Sequence, residues 1–219
     1  MLSIRKKKYM DNVVIVAGCR TAIGSFGGSL KDISASDLGG LVIKEALRRA
    51  NISPELVEEV VFGSVGQWAE NAFVARIASV KGGIPYHAGA VTINRLCSSG
   101  LQSIVTAMHE IKAGFCNIAV AGGTENMSRF PYYVRDARFG YRMGDGVLED
   151  AVVSALTDPF SRKHMGTTAD NVARMFKVSR EEQDEFALMS QERAAFARAE
   201  GLFKDQITPV EVQVSRKES

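Results

Sequence analysis

The stretch that decides the fold is Gly89-Ala90-Val91-Thr92-Ile93-Asn94-Arg95-Leu96-Cys97-Ser98-Ser99-Gly100-Leu101-Gln102-Ser103-Ile104. Its first part, Gly89 to Leu96, is apolar and typical of a strand, whereas Leu101 to Ile111 has the spacing of a helix. Cys97 is therefore expected at or beside a helix N-terminus, where the macrodipole and free backbone N–H groups stabilise a thiolate. The three residues after Cys97 are small, so a bulky substrate can approach the sulfur.

The segments around this stretch alternate between strand and helix patterns. The continuous apolar run Val13 to Ala17 is typical of a central strand that is covered on both faces. Further strands are predicted at residues 60–65, 89–93 and 117–121, with helices that begin near Ser36 or Asp37, near Phe73 and near Leu101. Repeated strand–helix–strand units imply right-handed crossovers. The sequence therefore predicts an α/β fold, a mostly parallel sheet covered by helices, over residues 11–127.

The predicted helix after Cys97 carries one apolar stripe at helical spacing. The stripe consists of Leu101, Ile104, Val105, Met108 and Ile111. Such a pattern indicates the face that packs against the core. Gly114 then ends the helix, as glycine commonly does at this position.

The character of the chain changes after residue 127. Residues 129–146 are aromatic, basic and irregular, and helical patterns follow at 146–156, 168–176 and 179–200, the last opening with a capping box from Ser179 to Glu182. The tail, Ile207 to Val214, alternates like an edge strand and then stops, which indicates a fragment. Residues 128–219 are thus predicted to be an incomplete helical loop domain. Residues 1–10 are interpreted as a flexible N-terminal extension.

Charge and composition exclude several classes of protein. The formal net charge is only +2 and the basic residues are scattered, which gives no argument for nucleic-acid binding. The aromatic and basic stretch Phe130 to Arg142 is too short to change that. No apolar run is long enough to span a membrane. Three widely spaced cysteines without a secretory signal favour reduced thiols in a cytoplasmic compartment, and the absence of any Cys/His cluster argues against a metal site.

Two readings of the candidate site residues are open from the pattern alone. Cys97 is either a buried structural cysteine, as most free cysteines are, or a nucleophile made reactive by its position. His164 and Met165 are either ordinary loop or core residues or part of a binding surface. Cys19 and Cys116 show no feature beyond that of structural cysteines.

The segment Cys97-Ser98-Ser99-Gly100-Leu101, preceded by Asn94-Arg95, resembles the nucleophile segment of the thiolases, the acetyl-CoA C-acyltransferases. Other segments that resemble the family follow in family order, at residues 14–24, 121–128, 141–146, 156–160 and 164–171. The resemblance implies acyl transfer between an acyl-CoA and CoA or acetyl-CoA through an acyl-cysteine on Cys97. It also implies that His164 and Met165 line the CoA site. It implies no metal and no redox cofactor, since coenzyme A thioesters are the substrates.

The sequence departs from the thiolase pattern in one respect. A complete thiolase has a second sheet domain, related to the first by internal duplication, and these 219 residues contain no counterpart of it. In the family, that domain supplies a Gly-x-His histidine that activates the nucleophile, an oxyanion-site asparagine and a Cys-x-Gly-x-Gly cysteine that acts as acid and base. None of the three motifs is present. The resemblance is therefore to the N-terminal half of a thiolase, and we expect the isolated chain to be inactive or incomplete in turnover.

Two alternatives to an incomplete enzyme stay open. The chain is one half of a split thiolase that a separate C-terminal-half chain completes in trans, or it is a truncated remnant that binds CoA or a partner without catalysis. A half-molecule is expected to expose the sheet surface meant for its second domain, which predicts a homo-oligomer. The acyl-chain length and the direction of the reaction are not encoded in the segments discussed.

Overall fold

The computed structural model describes residues 12–213, so the predicted extension, residues 1–10, lies outside the described residues. The chain divides into two compact units. Among the described residues, the first contains 12–128 together with 208–213, and the second contains 129–207. Each unit is described by itself.

The first unit is built on a parallel sheet of three strands. These are β1 (Glu59–Gly63), β2 (Gly89–Ile93) and β3 (Ala119–Gly123), in the order β2-β1-β3. Gly63 at the end of β1 pairs with Ile93 of β2 and with Gly123 of β3, so the carboxyl ends of all three strands are level. The α/β fold with a parallel sheet is confirmed.

Three helices join and cover these strands. They are α1 (Ala35–Ala50), α2 (Val74–Lys81) and α3 (Ser99–Ala113), and a short 3-10 turn over Pro54–Leu56 precedes β1. Helix α1 begins slightly earlier than predicted because Ser34 is its N-cap, with a hydroxyl that accepts a hydrogen bond from the Asp37 N–H at 3.0 Å. Gly114 ends α3 in the left-handed conformation, as predicted.

The two faces of the sheet are covered by different helices. Val60 and Phe62 point to one face, where the Phe62 ring lies close to Gly39 of α1. The core on this side consists of Ile43, Leu47, Val57, Val60, Phe62, Ala75, Ala78, Ile84 and Ala88. Gly63 points to the opposite face, where its Cα lies close to Ser99 of α3. Alternation along β1 therefore places α1 and α2 on one side and α3 on the other.

The predicted apolar stripe of α3 is only partly covered, since Val105, Met108 and Ile111 are half-buried. Leu101 and Ile104 of the apolar stripe are 68% and 41% exposed, and the buried residues of the helix are Ser99, Ser103 and Ala107. These three small residues recur every fourth position, which defines one helix face. Small side chains let the helix axis approach the sheet closely, so close packing rather than apolar content selects this face.

The prediction of a first strand over Val13 to Ala17 was also wrong. Residues 12–19 belong to no strand, and Val14, Ile15 and Val16 are 69%, 78% and 65% exposed. Residues 17–21 instead line a cavity of about 260 Å³ together with residues 120–125 of β3 and its carboxyl end. An apolar run indicates that a segment favours burial, but it does not specify which part of the molecule covers that segment.

The second unit is mostly helical. Two short strands, β4 (Tyr132–Tyr133) and β5 (Glu149–Asp150), pair antiparallel, and the helices are α4 (Ala151–Ala155), α5 (Met165–Phe176) and α6 (Arg180–Ala199). The predicted helix over 146–156 is limited to α4, because β5 occupies the preceding residues and Asp150 caps the helix through the Val152 N–H at 2.7 Å. The predicted capping box of α6, with Ser179 and Glu182, is confirmed.

The tail after the second unit differs from its prediction. Over residues 207–213 no strand forms, although the Thr208 N–H donates to the Arg20 carbonyl at 2.7 Å. Alternating apolar residues alone do not make a strand without a neighbouring edge in register. None of the helices within residues 12–213 combines the length and apolar character needed to cross a membrane.

Candidate active site

The candidate site lies at the carboxyl edge of the parallel sheet. In open α/β sheets this edge is where the loops after several strands meet and where ligands commonly bind. Here the loops after β1, β2 and β3 surround an open depression of about 400 Å³. Its lining residues are Gly63, Ser64, Val65, Leu96, Cys97, Ser99, Gly100, Gly123, Thr124 and Glu125.

Cys97 lies in this depression and its side chain is exposed. Ser98 is the N-cap of α3 and Ser99 is the first helical residue, so the thiol stands immediately before the helix start, as the sequence predicts. The alternative of a buried structural cysteine does not fit this exposure. An exposed thiol directly before the start of a 15-residue helix can act as a nucleophile toward a large substrate.

The turn that carries Cys97 is fixed by hydrogen bonds on both sides. The Asn94 Oδ1 accepts from the Leu96 N–H at 2.9 Å, and the Ser99 Oγ accepts from the Arg95 N–H at 2.8 Å. The Ser99 hydroxyl also donates to the Leu96 carbonyl at 2.6 Å. Leu96 has a φ of 50°, a left-handed conformation that is unfavourable for a residue with a branched side chain. The surrounding bonds hold this conformation directly before Cys97.

Two glycines allow α3 to begin so close to the sheet. A Cβ on Gly63 would lie 2.5 Å from the Ser99 carbonyl oxygen, and one on Gly123 would lie 3.3 Å from the Cα of Gly100. The first distance is shorter than any real Cβ contact. Gly63 therefore places the start of α3, and with it Cys97, against the carboxyl end of β1.

Glu125 also lines the depression, and sequence reasoning did not single it out. Its carboxylate accepts hydrogen bonds from the Val65 N–H at 2.7 Å, from the Gly66 N–H at 3.3 Å and from the Ser64 hydroxyl at 3.3 Å. The signal that could have found it is its place two residues after a strand of a parallel sheet, at the same edge as Cys97.

The other two cysteines differ from Cys97 in their surroundings. Cys116 is buried, and burial, with the negative charge of Glu110 as the next cause, raises the pKa of its thiol. Burial likewise raises the pKa of the Cys19 thiol, which donates to the Val42 carbonyl at 3.3 Å. A raised pKa leaves less thiolate at neutral pH. Both residues fit the structural role predicted for them.

His164 and Met165 belong to the second unit, whereas Cys97 belongs to the first. His164 is the N-cap of α5, and its Nδ1 accepts a hydrogen bond from the Gly166 N–H at 3.1 Å. Met165 is the first helical residue, with an N–H that donates to the Leu156 carbonyl at 2.9 Å and a side chain that is 44% exposed. Both side chains are exposed, and their contact with CoA stays a prediction. Across residues 12–213, no three His, Cys, Asp or Glu side chains form a group that could hold a metal ion.

Residues 13–219 match the family model of the thiolase N-terminal domain. Among curated proteins, the chain is 53% identical over 199 residues to the beta-ketothiolase BktB of Cupriavidus necator, covering 90% of this chain and 50% of that protein. It is 46% identical to an acetyl-CoA acetyltransferase of Syntrophomonas wolfei, covering 92% of this chain and 52% of that protein. The chain thus spans about half the length of the curated relatives it matches.

This chain also resembles about half of the chain in solved structures of thiolases and acetyl-CoA acetyltransferases. The acetyl-CoA acetyltransferase of Bacillus anthracis superposes with a TM-score of 0.92 at 41% identity, over 95% of this chain and 53% of that chain. The human mitochondrial 3-ketoacyl-CoA thiolase, in a complex with CoA, superposes with a TM-score of 0.87 at 41% identity, over 93% of this chain and 54% of that chain.

Proposed function

Because the chain belongs to the thiolase family, we propose that Cys97 accepts an acyl group from an acyl-CoA thioester. The observation that carries this proposal is the position of Cys97, exposed in an open depression and immediately before the start of α3. A thioester of coenzyme A is large, and only an exposed thiol with small neighbours can reach its carbonyl carbon.

The proposed step is a thioester exchange. The Cys97 thiolate attacks the carbonyl carbon of the acyl-CoA, and the carbonyl oxygen becomes an oxyanion in the tetrahedral intermediate. The Cys97 N–H, at the start of α3, is the proposed donor to that oxyanion. The bond between the carbonyl carbon and the CoA sulfur then breaks, CoA leaves as a thiolate that takes up a proton, and the acyl group stays on Cys97. One thioester replaces another, so the step is close to neutral in free energy.

The second half of the proposed reaction consumes the acyl-cysteine. Free CoA takes the acyl group back, or the Cα of a second acyl-CoA, once deprotonated, attacks it. In the family, the groups that activate the nucleophile and move this proton are in motifs that the present 219 residues do not contain. We therefore propose that this chain performs acylation without efficient turnover, unless a separate chain supplies those groups.

The substrate and its contacts are part of the same proposal. Coenzyme A thioesters are the proposed substrates, with no metal or redox cofactor, and His164 and Met165 are the proposed CoA contacts. Support for the substrate comes from relatives named as acetyl-CoA acetyltransferases and from a related structure solved with CoA. The proposed partners are a further copy of this chain or a separate chain that corresponds to the other half of a thiolase.

The test is covalent labelling by acetyl-CoA, followed by intact-mass spectrometry and peptide mapping. We expect a mass increase of one acetyl group on the peptide that contains Cys97, released by hydroxylamine as a thioester is. Cys97→Ser should abolish this labelling, whereas the matched control Cys19→Ser should retain it, because Cys19 lies outside the depression. Labelling that is equal in wild type and Cys97→Ser contradicts the proposal.

Turnover is measured separately as thiolysis of acetoacetyl-CoA by free CoA. We expect acylation of Cys97 without sustained thiolysis for the chain alone. Sustained thiolysis that Cys97→Ala removes would show that these residues, alone or in an oligomer, replace the missing groups. That result would contradict the part of the proposal that concerns turnover and would leave the role of Cys97 intact.

A further inference from the structure

We infer that Asn94 and Glu125 are positioning residues that hold the Cys97 turn against the carboxyl edge of the sheet. The inference rests on the proposed role of Cys97 as nucleophile. It follows from a continuous set of hydrogen bonds that joins the loops after β1, β2 and β3.

The first part of this set ties the loop after β3 to the loop after β1. The Glu125 carboxylate accepts the Val65 N–H at 2.7 Å and the Gly66 N–H at 3.3 Å. Two backbone N–H groups on one carboxylate fix the conformation of residues 64–66, because a carboxylate accepts stronger hydrogen bonds than a neutral oxygen. The Gln67 side chain adds a bond from its Nε2 to the Ser64 carbonyl at 2.9 Å.

The second part ties that loop to the turn before Cys97. The Asn94 Nδ2 donates to the Val65 carbonyl at 3.3 Å, while the Oδ1 of the same amide accepts from the Leu96 N–H at 2.9 Å. The Val65 N–H therefore donates to Glu125, and the Val65 carbonyl accepts from Asn94. The Asn94 amide thus connects the loop after β1 to Leu96, the residue directly before Cys97.

The conformation of Leu96 explains why the turn needs this support. Its φ of 50° is sparsely populated by residues other than glycine, and such conformations persist only where surrounding contacts impose them. The Leu96 N–H donates a hydrogen bond to Asn94, and the Leu96 carbonyl accepts one from the Ser99 hydroxyl. Loss of the Asn94 bond would let Leu96 relax and would move the Cys97 sulfur away from the start of α3.

The test measures the alkylation rate of Cys97 by iodoacetamide in the full chain, which needs neither CoA nor acyl transfer. We expect Asn94→Ala and Glu125→Gln to lower this rate about two- to fivefold, the contribution of a helix N-terminus to a nearby anion. Asn94→Ser should recover part of the loss, because a serine hydroxyl can accept from the N–H two residues on. Peptide mapping separates Cys97 from Cys19 and Cys116.

Glu58→Gln is the matched control. Its carboxylate also bridges two loops, through the Asn117 N–H at 2.8 Å, but at the amino end of the sheet. We expect this variant to alkylate Cys97 at the wild-type rate. Circular dichroism of each variant verifies that the fold is retained.

The direction of the effect separates positioning from simple electrostatics. If the Glu125 carboxylate acted only through its negative charge, its replacement by Gln would favour the Cys97 thiolate and would raise the alkylation rate. Wild-type or faster alkylation in both Glu125→Gln and Asn94→Ala would overturn the inference. Because no acyl donor is used, failure of acetyl-CoA labelling and failure of the positioning effect are separate results.

Discussion

At the carboxyl end of the sheet, Cys97 is exposed in an open depression, whereas at the amino end Cys116 is only 4% exposed and lies near carboxylates. The two thiols belong to one unit and flank the same three strands. Glycines at the carboxyl end bring a helix start to the sulfur, while burial and Glu110 at the amino end raise the pKa of the Cys116 thiol. The comparison shows that the position in the fold, and not the residue type, decides which of the two thiols is accessible.

A second group with a shifted pKa, the Glu59 carboxyl, lies at the amino end of the sheet. Burial, and then the negative charge of Glu110, raise the pKa of the Glu59 carboxyl. The positive charge of Arg76 offsets part of this rise in pKa. Glu59 stands at the start of β1, where its carboxylate lies against Gly89 of β2. Burial thus disfavours the charged forms of Glu59 and Cys116, whereas at the carboxyl end the Val65 and Gly66 N–H groups donate to the Glu125 carboxylate.

The largest effect is expected from adding a methyl group at the carboxyl end of β1. Gly63→Ala would place a Cβ 2.5 Å from the Ser99 carbonyl oxygen, and backbone cannot move aside without shifting α3. We expect a loss of about 1–3 kcal/mol in the free energy of unfolding, as for other overpacked sites. Urea denaturation followed by circular dichroism measures it.

Gly89→Ala is the matched substitution at the amino end. Its Cβ would meet the Glu59 carboxylate, the far end of a flexible side chain that can turn away. We expect a loss below about 1 kcal/mol. Equal losses for the two variants would show that the start of α3 is not fixed by Gly63.

A second effect concerns the two thiols directly. In the native chain at neutral pH, we expect iodoacetamide to alkylate Cys116 at least about tenfold more slowly than Cys97, because Cys116 reacts only when the structure opens locally. Timed quenching and peptide mapping give both rates. In concentrated urea the two rates should converge. Comparable rates in the native chain would remove the distinction between the two ends of the sheet.

The smallest effect is a pH dependence at the amino end. The folded chain raises the pKa of Glu59 above its ordinary value of 4.5, so protonated Glu59 is favoured by folding. Its contribution to stability is present below that value and is lost as the pH rises through the raised pKa. Glu59→Gln should therefore gain stability relative to wild type as the pH increases from 4.5 toward 7, by less than about 1 kcal/mol at this half-buried site.

Urea denaturation of both chains at several pH values measures the difference. A difference that stays constant with pH would show that Glu59 titrates alike in the folded and unfolded chains.

Much of the first unit was predictable from the sequence. Strand β2 was predicted with its observed bounds, and β1, β3, α2 and α3 were placed within a few residues, because glycines and apolar runs mark these ends locally. The failures share one cause. Both concern apolar residues that are exposed in the structure, namely Val14 to Val16 and the pair Leu101 and Ile104. Their apolar pattern is present in the sequence, but that pattern does not specify which part of the molecule would cover them.

The candidate site also has features that the sequence predicts and features that it does not. The place of Cys97 before a helix was readable from the residues around it, since helix starts have local signals. Glu125 and Asn94 were not, because their hydrogen bonds reach residues 60 and 29 positions away in the chain, respectively. Contacts of such separation depend on how the strands align and leave no periodic trace in the sequence.

The sequence by itself therefore determined the family, the parallel α/β pattern and the cysteine that stands at a strand-to-helix junction, because each depends on residues that are close along the chain. Only the tertiary structure decided which face of α3 is buried, that Gly63 admits the start of that helix, and that Glu125 lines the same depression as Cys97. The physical reason is that packing distance and hydrogen-bond partners are set where separate strands end side by side, and the register of the sheet fixes that arrangement.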